Sequence, residues 1–178
     1  MKAPITIALQ PMGVVEDSLI SFLQYELAFL FGAVRVCPQV LIPETVRVPE
    51  RGQLAGGLVL SALAGPEGAD AVLGVVDEDL FAANLNFVFG LAHGQKAIIS
   101  LARLRQEFYG LPPDHDLFRD GAKKEAVHEL GHVFGLPHCD DGECVMHFSN
   151  SIVDTDFKGS RYCRRCQKML EGFGVEVS

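Results

Sequence analysis

This chain of 178 residues lacks any uninterrupted apolar run as long as a membrane span, so no transmembrane helix is expected. It is also short of positive charge. Fifteen lysines and arginines face twenty-three aspartates and glutamates, a formal charge of −8, which argues against nucleic acid or an anionic membrane as the main partner. The N-terminus carries one positive charge and then alternates like a strand. Without a long apolar core or a cleavage site it does not read as a signal peptide, and it leaves no room for a pro-segment. Internal repeats and low-complexity segments are missing too. What remains is 48% hydrophobic and 21% charged, the balance of a globular protein with one substantial core. A cytoplasmic monomer, made ready to work, is the expectation.

The hydrophobic pattern predicts a strand over residues 4–10 and a helix from Glu16 to Phe31, stopped by Gly32. A second strand over 33–42 and a helix over 51–64 follow, the latter weakened by Gly56 and Gly57. Ala71 to Val76 is a short apolar run entering Asp77-Glu78-Asp79, the pattern of a central strand whose end is capped or solvated. Strands over 86–92 and 96–101 are joined through His93-Gly94-Gln95. A loop from Arg103 to about residue 115 leads to a helix over 116–134, and a last helix lies near 163–173. The order β-α-β-α-β-β-β-α implies an α/β fold with a mixed, mostly parallel twisted sheet. The strand at 86–92 is expected at its edge, antiparallel. Residues 1–178 read as one domain: an α/β part over 1–135, and a mostly irregular part over 136–178.

The segment carrying chemistry is His128-Glu129-Leu130-Gly131-His132-Val133-Phe134-Gly135-Leu136-Pro137-His138. Residues four apart share a helix face, so His128 and His132 can point at one metal. Glu129 lies at the edge of that face, within reach of a water on the metal. Gly135 can adopt a left-handed conformation that turns the chain and returns His138 as a third ligand. Three histidines leave a fourth position open, as catalytic zinc sites do. His147 and Asn150 are possible neighbours, although a plain loop role suits each.

Four of the five cysteines follow at once, in the pattern C-x4-C-x18-C-x2-C: Cys139, Cys144, Cys163 and Cys166. Two close pairs suit a closed, structural zinc held by four thiolates. Two disulfides are the alternative, disfavoured without a secretion signal. Cys37 reads as a buried free thiol. Arg161, Arg164, Arg165 and Lys168 form a basic patch beside the cluster, read as a solvated helix face rather than a nucleic-acid contact. Because Cys139 adjoins His138, a ligand of one metal is covalently next to a ligand of the other.

The histidine motif followed by Met146 resembles the metzincin metalloproteases, and the combination HExxHxxGxxHC-x4-C-x-M with a later CxxC resembles the archaemetzincins. That resemblance implies a compact metzincin-like fold with two zinc ions per chain. His128, His132 and His138 would hold the catalytic zinc, Glu129 would be the general base, and the four cysteines would hold the structural zinc. Met146 would form a Met-turn under the histidines, and the edge strand near 86–92 would line a cleft for a peptide or protein substrate. Phe148 stands where astacin-like relatives carry a tyrosine that reaches the zinc, so a tyrosine switch is excluded. The competing reading is a catalytically weak or inactive zinc-containing module that binds peptides or proteins without cutting them.

Overall fold

The computed structural model describes residues 4–65 and 68–178; the lone positive charge at the N-terminus, Lys2, lies outside them. Strand β1 (Ile5–Met12) enters the core directly, and helix α1 (Asp17–Phe31) returns the chain. The helix buries Leu19, Ile20, Leu23, Leu27, Leu30 and Phe31, each worth about 1.5–3 kcal/mol once out of water. It ends where Gly32 takes a φ of +119°. Strand β2 (Gly32–Val36) then pairs parallel to β1. The strand expected over 33–42 is shorter than predicted. The Cys37 amide still reaches Leu9 O, but Pro38 has no N–H to continue the ladder.

A small second sheet interrupts the expected helix over 51–64. Arg47–Val48 (β3) and Gln53–Ala55 (β4) form a hairpin turned at Gly52, which has a φ of +64°. Helix α2 therefore spans only Gly56–Ala62. Gly56 is there because a Cβ would meet the Phe81 carbonyl at 3.0 Å. Strand β5 (Ala71–Val76), buried throughout, lies at the centre of the main sheet as its sequence predicts. Leu80–Phe81 (β6) then joins the small sheet beside β4.

Strands β7 (Gly90–His93) and β8 (Lys96–Ser100) complete the main sheet in the order β2-β1-β5-β8-β7, with β7 antiparallel at the edge. The expected strand over 86–92 starts only at Gly90. Residues before it cross to the small sheet, where the Val88 amide donates to Leu80 O. Helix α3 (His115–Val133) packs across β7 and β8; Asp114 caps it by accepting from the Leu117 amide at 2.9 Å. A short helix α4 (Ile152–Phe157) follows, which the sequence pattern did not predict, and then α5 (Arg164–Gly172). The main core runs from Ile7 and Leu27 through Leu130 to Met146, Tyr162 and Leu170, so the irregular 136–178 segment shares it. Among the described residues no helix is long and apolar enough to cross a membrane.

Candidate metal centre

Helix α3 carries His128 and His132 on one face, as the spacing requires. It closes with Gly135 at a φ of +99°, while the Leu136 amide donates to Gly131 O and the Gly135 amide to His132 O. That pair of bonds is the Schellman ending expected of a helix stopped by glycine. The same turn presents the Leu136 carbonyl to His132 Nδ1 at 2.8 Å. His128 Nδ1 meets the Val145 carbonyl at 2.7 Å. A carbonyl can only accept, so both rings carry their hydrogen on Nδ1. Both Nε2 atoms are left with bare lone pairs, and these face each other at 3.1 Å. Two lone pairs at that distance repel unless a cation stands between them. The turn also returns His138, so that one nitrogen from each ring lies within 4.8 Å of the others. Burial holds His128 well below its usual pKa, with the Lys158 ammonium adding to the effect; burial also lowers His132 and His138. Neutral imidazoles are what a divalent ion needs.

The four cysteines converge as the sequence predicts, and all are free thiols. Cys139 and Cys163 lie 3.9 Å apart through their sulfurs, and Cys144 and Cys166 lie 3.8 Å apart. A disulfide needs about 2.05 Å. A tetrahedral zinc with Zn–S bonds near 2.3 Å sets its sulfurs about 3.8 Å apart. Burial pushes the Cys144 thiol up to about 11 and raises Cys166 as well. Protons on these buried thiols must yield to a cation for the cluster to close. Both donor sets therefore fit zinc.

One short segment joins the two clusters. The Cys139 amide donates to Met146 O, the His147 amide to Cys144 O, and the Val145 amide to Arg161 O. His147 Nδ1 bonds the Cys139 carbonyl at 2.9 Å, so His147 braces this segment instead of facing the cleft. Met146 is wholly buried against Gly131, one of the three residues between the two helix histidines. Arg165 pairs with Asp140 and reaches Cys139 Sγ at 3.2 Å, so this member of the basic patch supports the cluster.

Glu129 is 5% exposed and packs against Gly90 of the edge strand, where a Cβ would come within 2.6 Å of its carboxylate. Burial, then the nearby Glu125 charge, raises its carboxyl well above the usual range, and Lys158 counters in part. A cleft of about 560 Å³ opens between the 85–92 segment and α3, reaching Glu129, all three histidines, Phe148 and Asn150. Its upper wall is held from a distance. Arg103 makes two 2.8 Å bonds to Asp79 and stacks 4.1 Å from the Phe87 ring. Arg105 pairs with Asp77 and Arg47 with Glu78, so the acidic triplet after β5, expected to cap or solvate the strand end, is held in ion pairs. The sequence pattern did not single out Lys158, Gly90 or Gly131, whose partners come from other elements.

The family model of peptidase family M54 matches residues 68–172. The chain belongs to peptidase family M54. This agrees with the archaemetzincin resemblance carried by the histidine and cysteine motifs, and the chain is a zinc metallopeptidase. It is 48% identical to an archaemetzincin of Methanocaldococcus jannaschii over 97% of this chain and 96% of that one. The solved archaemetzincin of Methanopyrus kandleri superposes with a TM-score of 0.83 at 36% identity, covering 96% and 95% of the two chains. That of Archaeoglobus fulgidus, complexed with malonate, gives 0.82 at 36% identity, covering 92% and 99%.

Gly131→Ala tests the packing beneath the histidines. Alanine gains about 1 kcal/mol of helix propensity, but its Cβ would overlap the Met146 sulfur and crowd Tyr162, both buried. Overpacking of about 1–3 kcal/mol should win. Denaturant unfolding should show a lower midpoint with the slope unchanged.

Proposed function

We propose that this M54 peptidase hydrolyses peptide bonds with Glu129 as general base and a catalytic zinc on His128, His132 and His138. A second, structural zinc would sit on Cys139, Cys144, Cys163 and Cys166. The observation that carries the reading is the pair of opposed Nε2 lone pairs beside a buried carboxylate in a cleft. Zinc held by three neutral imidazoles supplies Lewis acidity, which acidifies water and polarises a carbonyl. Glu129 takes a proton from the attacking water as the C–O bond forms. It then delivers that proton to the departing amine nitrogen as the C–N bond breaks. Burial and the Glu125 charge raise the proton affinity of this carboxylate, which suits a group that must hold a proton between the two steps.

The edge strand supports the substrate assignment. The Ser100 amide donates to Phe89 O, so in the antiparallel ladder Leu91 also exchanges bonds with β8. Gly90 and Ala92 therefore turn their amides and carbonyls to the free edge, where an extended peptide can add as a strand. Phe87, Phe89, Leu91 and Phe148 line the cleft, and no lysine or arginine does among the described residues. Apolar side chains next to the scissile bond are the expected preference. The 1–178 unit works as one domain, in which Met146 serves as the Met-turn and the cysteine cluster fixes the segment that carries His138.

Glu129→Gln should keep its metal and lose about 10²–10⁴ in turnover on a peptide library read by mass spectrometry. Undiminished cleavage would rule out this mechanism. A wild-type protein that loads zinc but cuts nothing would favour the binding module.

Gly90→Ala tests the close approach of the edge strand to the base. The added Cβ would meet the buried Glu129 side chain from its Cγ to its carboxylate, so the base must shift. Turnover should fall about 10–100-fold, and overpacking of about 1–3 kcal/mol should lower the thermal midpoint. Cys163→Ala tests the coupling of the two clusters. Metal content should drop by more than one ion per chain and the thermal midpoint should fall; full stability with unchanged metal content would disprove the coupling.

A further inference from the structure

Lys158 is the largest fully buried side chain of the described residues. Lysine is almost never buried without a partner, and here the partner is Glu125, whose Oε1 lies 3.1 Å from the ammonium. Thr155 donates to the same oxygen at 3.2 Å, and Lys158 also donates to the His147 carbonyl at 3.3 Å. The ammonium stands 3.5 Å from His128 Nδ1. The hydrogen on that nitrogen is already given to Val145, so this approach is not a hydrogen bond.

The position of Glu125 makes the arrangement informative. At about 100° per residue, Glu125 falls between His128 and Glu129 on the helix face that looks at the metal position. It precedes His128 by three residues, the Glu-x-x-His spacing with which helices place a carboxylate and an imidazole on a shared metal site. It also lines the same cleft as the three histidines. A free carboxylate there is a candidate fourth ligand, and four protein ligands make a closed site.

We propose that Lys158 is a positioning residue that withholds Glu125 from the metal. The salt bridge and the Thr155 hydroxyl turn the carboxylate toward α4, and the bond to His147 O anchors the ammonium to the turn beneath the histidines. The fourth coordination position is thereby left to water and substrate. This inference rests on the three-histidine metal reading above.

Two variants, Lys158→Met and Glu125→Gln with Lys158→Met, test it beside wild type. Each is loaded with cobalt(II) in the histidine site while zinc occupies the cysteines. Activity on peptides is read beside the visible cobalt spectrum and the rate at which a chelator withdraws the ion. Lys158→Met should lose at least tenfold in kcat with KM little changed. Its cobalt band should weaken as the coordination number rises, and chelation should slow severalfold. The double variant carries no orphaned charge, and replacing a buried ion pair with neutral side chains is tolerated. It should recover kcat to within about threefold and regain the wild-type spectrum. A Lys158→Met protein with unaltered kcat and spectrum overturns the proposal. So does a folded, metal-loaded double variant that stays tenfold down. If Lys158→Met does not fold, the double variant decides alone. Failure of wild type to take cobalt at the histidines would instead refute the catalytic-metal reading itself.

Discussion

The hydrogen bond from His128 Nδ1 to the Val145 carbonyl is the joint on which this molecule depends. Val145 lies between Cys144, a member of the thiol cluster, and Met146, which packs under α3. Its own amide is held by Arg161 O. One peptide unit thus sets the tautomer of the first histidine, fixes the depth of the methionine and hangs on a cluster cysteine. Moving it by a fraction of an ångström would misdirect the His128 Nε2 lone pair, and the opposed geometry with His132 would be lost. The helix supplies two histidines in register, but their ring orientations come from carbonyls on other segments, Val145 and Leu136. Such outer partners matter nearly as much as the ligands themselves.

Seen this way, the cysteine cluster is the anchor of an otherwise poorly held segment. Residues 139–147 contain no helix or strand, and loops of that kind are ordinarily mobile. Their order comes from a few backbone bonds, the burial of Val145 and Met146, and four converging thiols. Structural zinc sites contribute about 10–16 kcal/mol of apparent binding energy in small peptides, as much as the whole stability of an ordinary domain. On the proposed reading, such a site one residue after His138 would let a closed metal order an open one.

The convergence of the three histidines, and that of the four cysteines, was legible in the sequence because local periodicity dictates it. Spacings of four on a helix, a glycine stop and paired cysteines need no knowledge of the rest of the fold. The central strand β5 and the antiparallel edge were legible for the same reason. The wall of the cleft was not. Residues 80–89 hold their course because Arg103 clamps Asp79 and stacks on Phe87, while Arg51 and Gln53 donate to Asn86 O. These partners are distant in sequence and have no periodicity. The alternating pattern of residues 86–92 predicts a strand along its whole length, and tertiary pairing overrode it before Gly90. Gly90 and Gly131 were silent because the reason for a missing Cβ is a neighbour from another element, Glu129 in one case and Met146 in the other.

Lys158 was invisible for a different reason: a lysine in a polar stretch is solvated by default. Its burial has a cost. Two opposite charges taken out of water rarely stabilise a fold beyond what well-packed apolar side chains would give. Glu129 is buried as well, beside a second carboxylate that raises its proton affinity further. The interior around the histidines thus holds two carboxylates and one ammonium, with three imidazoles kept neutral. Stability alone would not select such a set, because an apolar cluster of the same volume would be no worse. The arrangement makes sense when the charge missing from the balance is a divalent cation at the histidines. On the proposed reading, the ammonium would then occupy one carboxylate and leave the other to act on water. Proteins tolerate local destabilisation of this kind at functional sites when the surrounding scaffold can carry it. Here the scaffold is the five-stranded sheet on one side and the thiol cluster on the other.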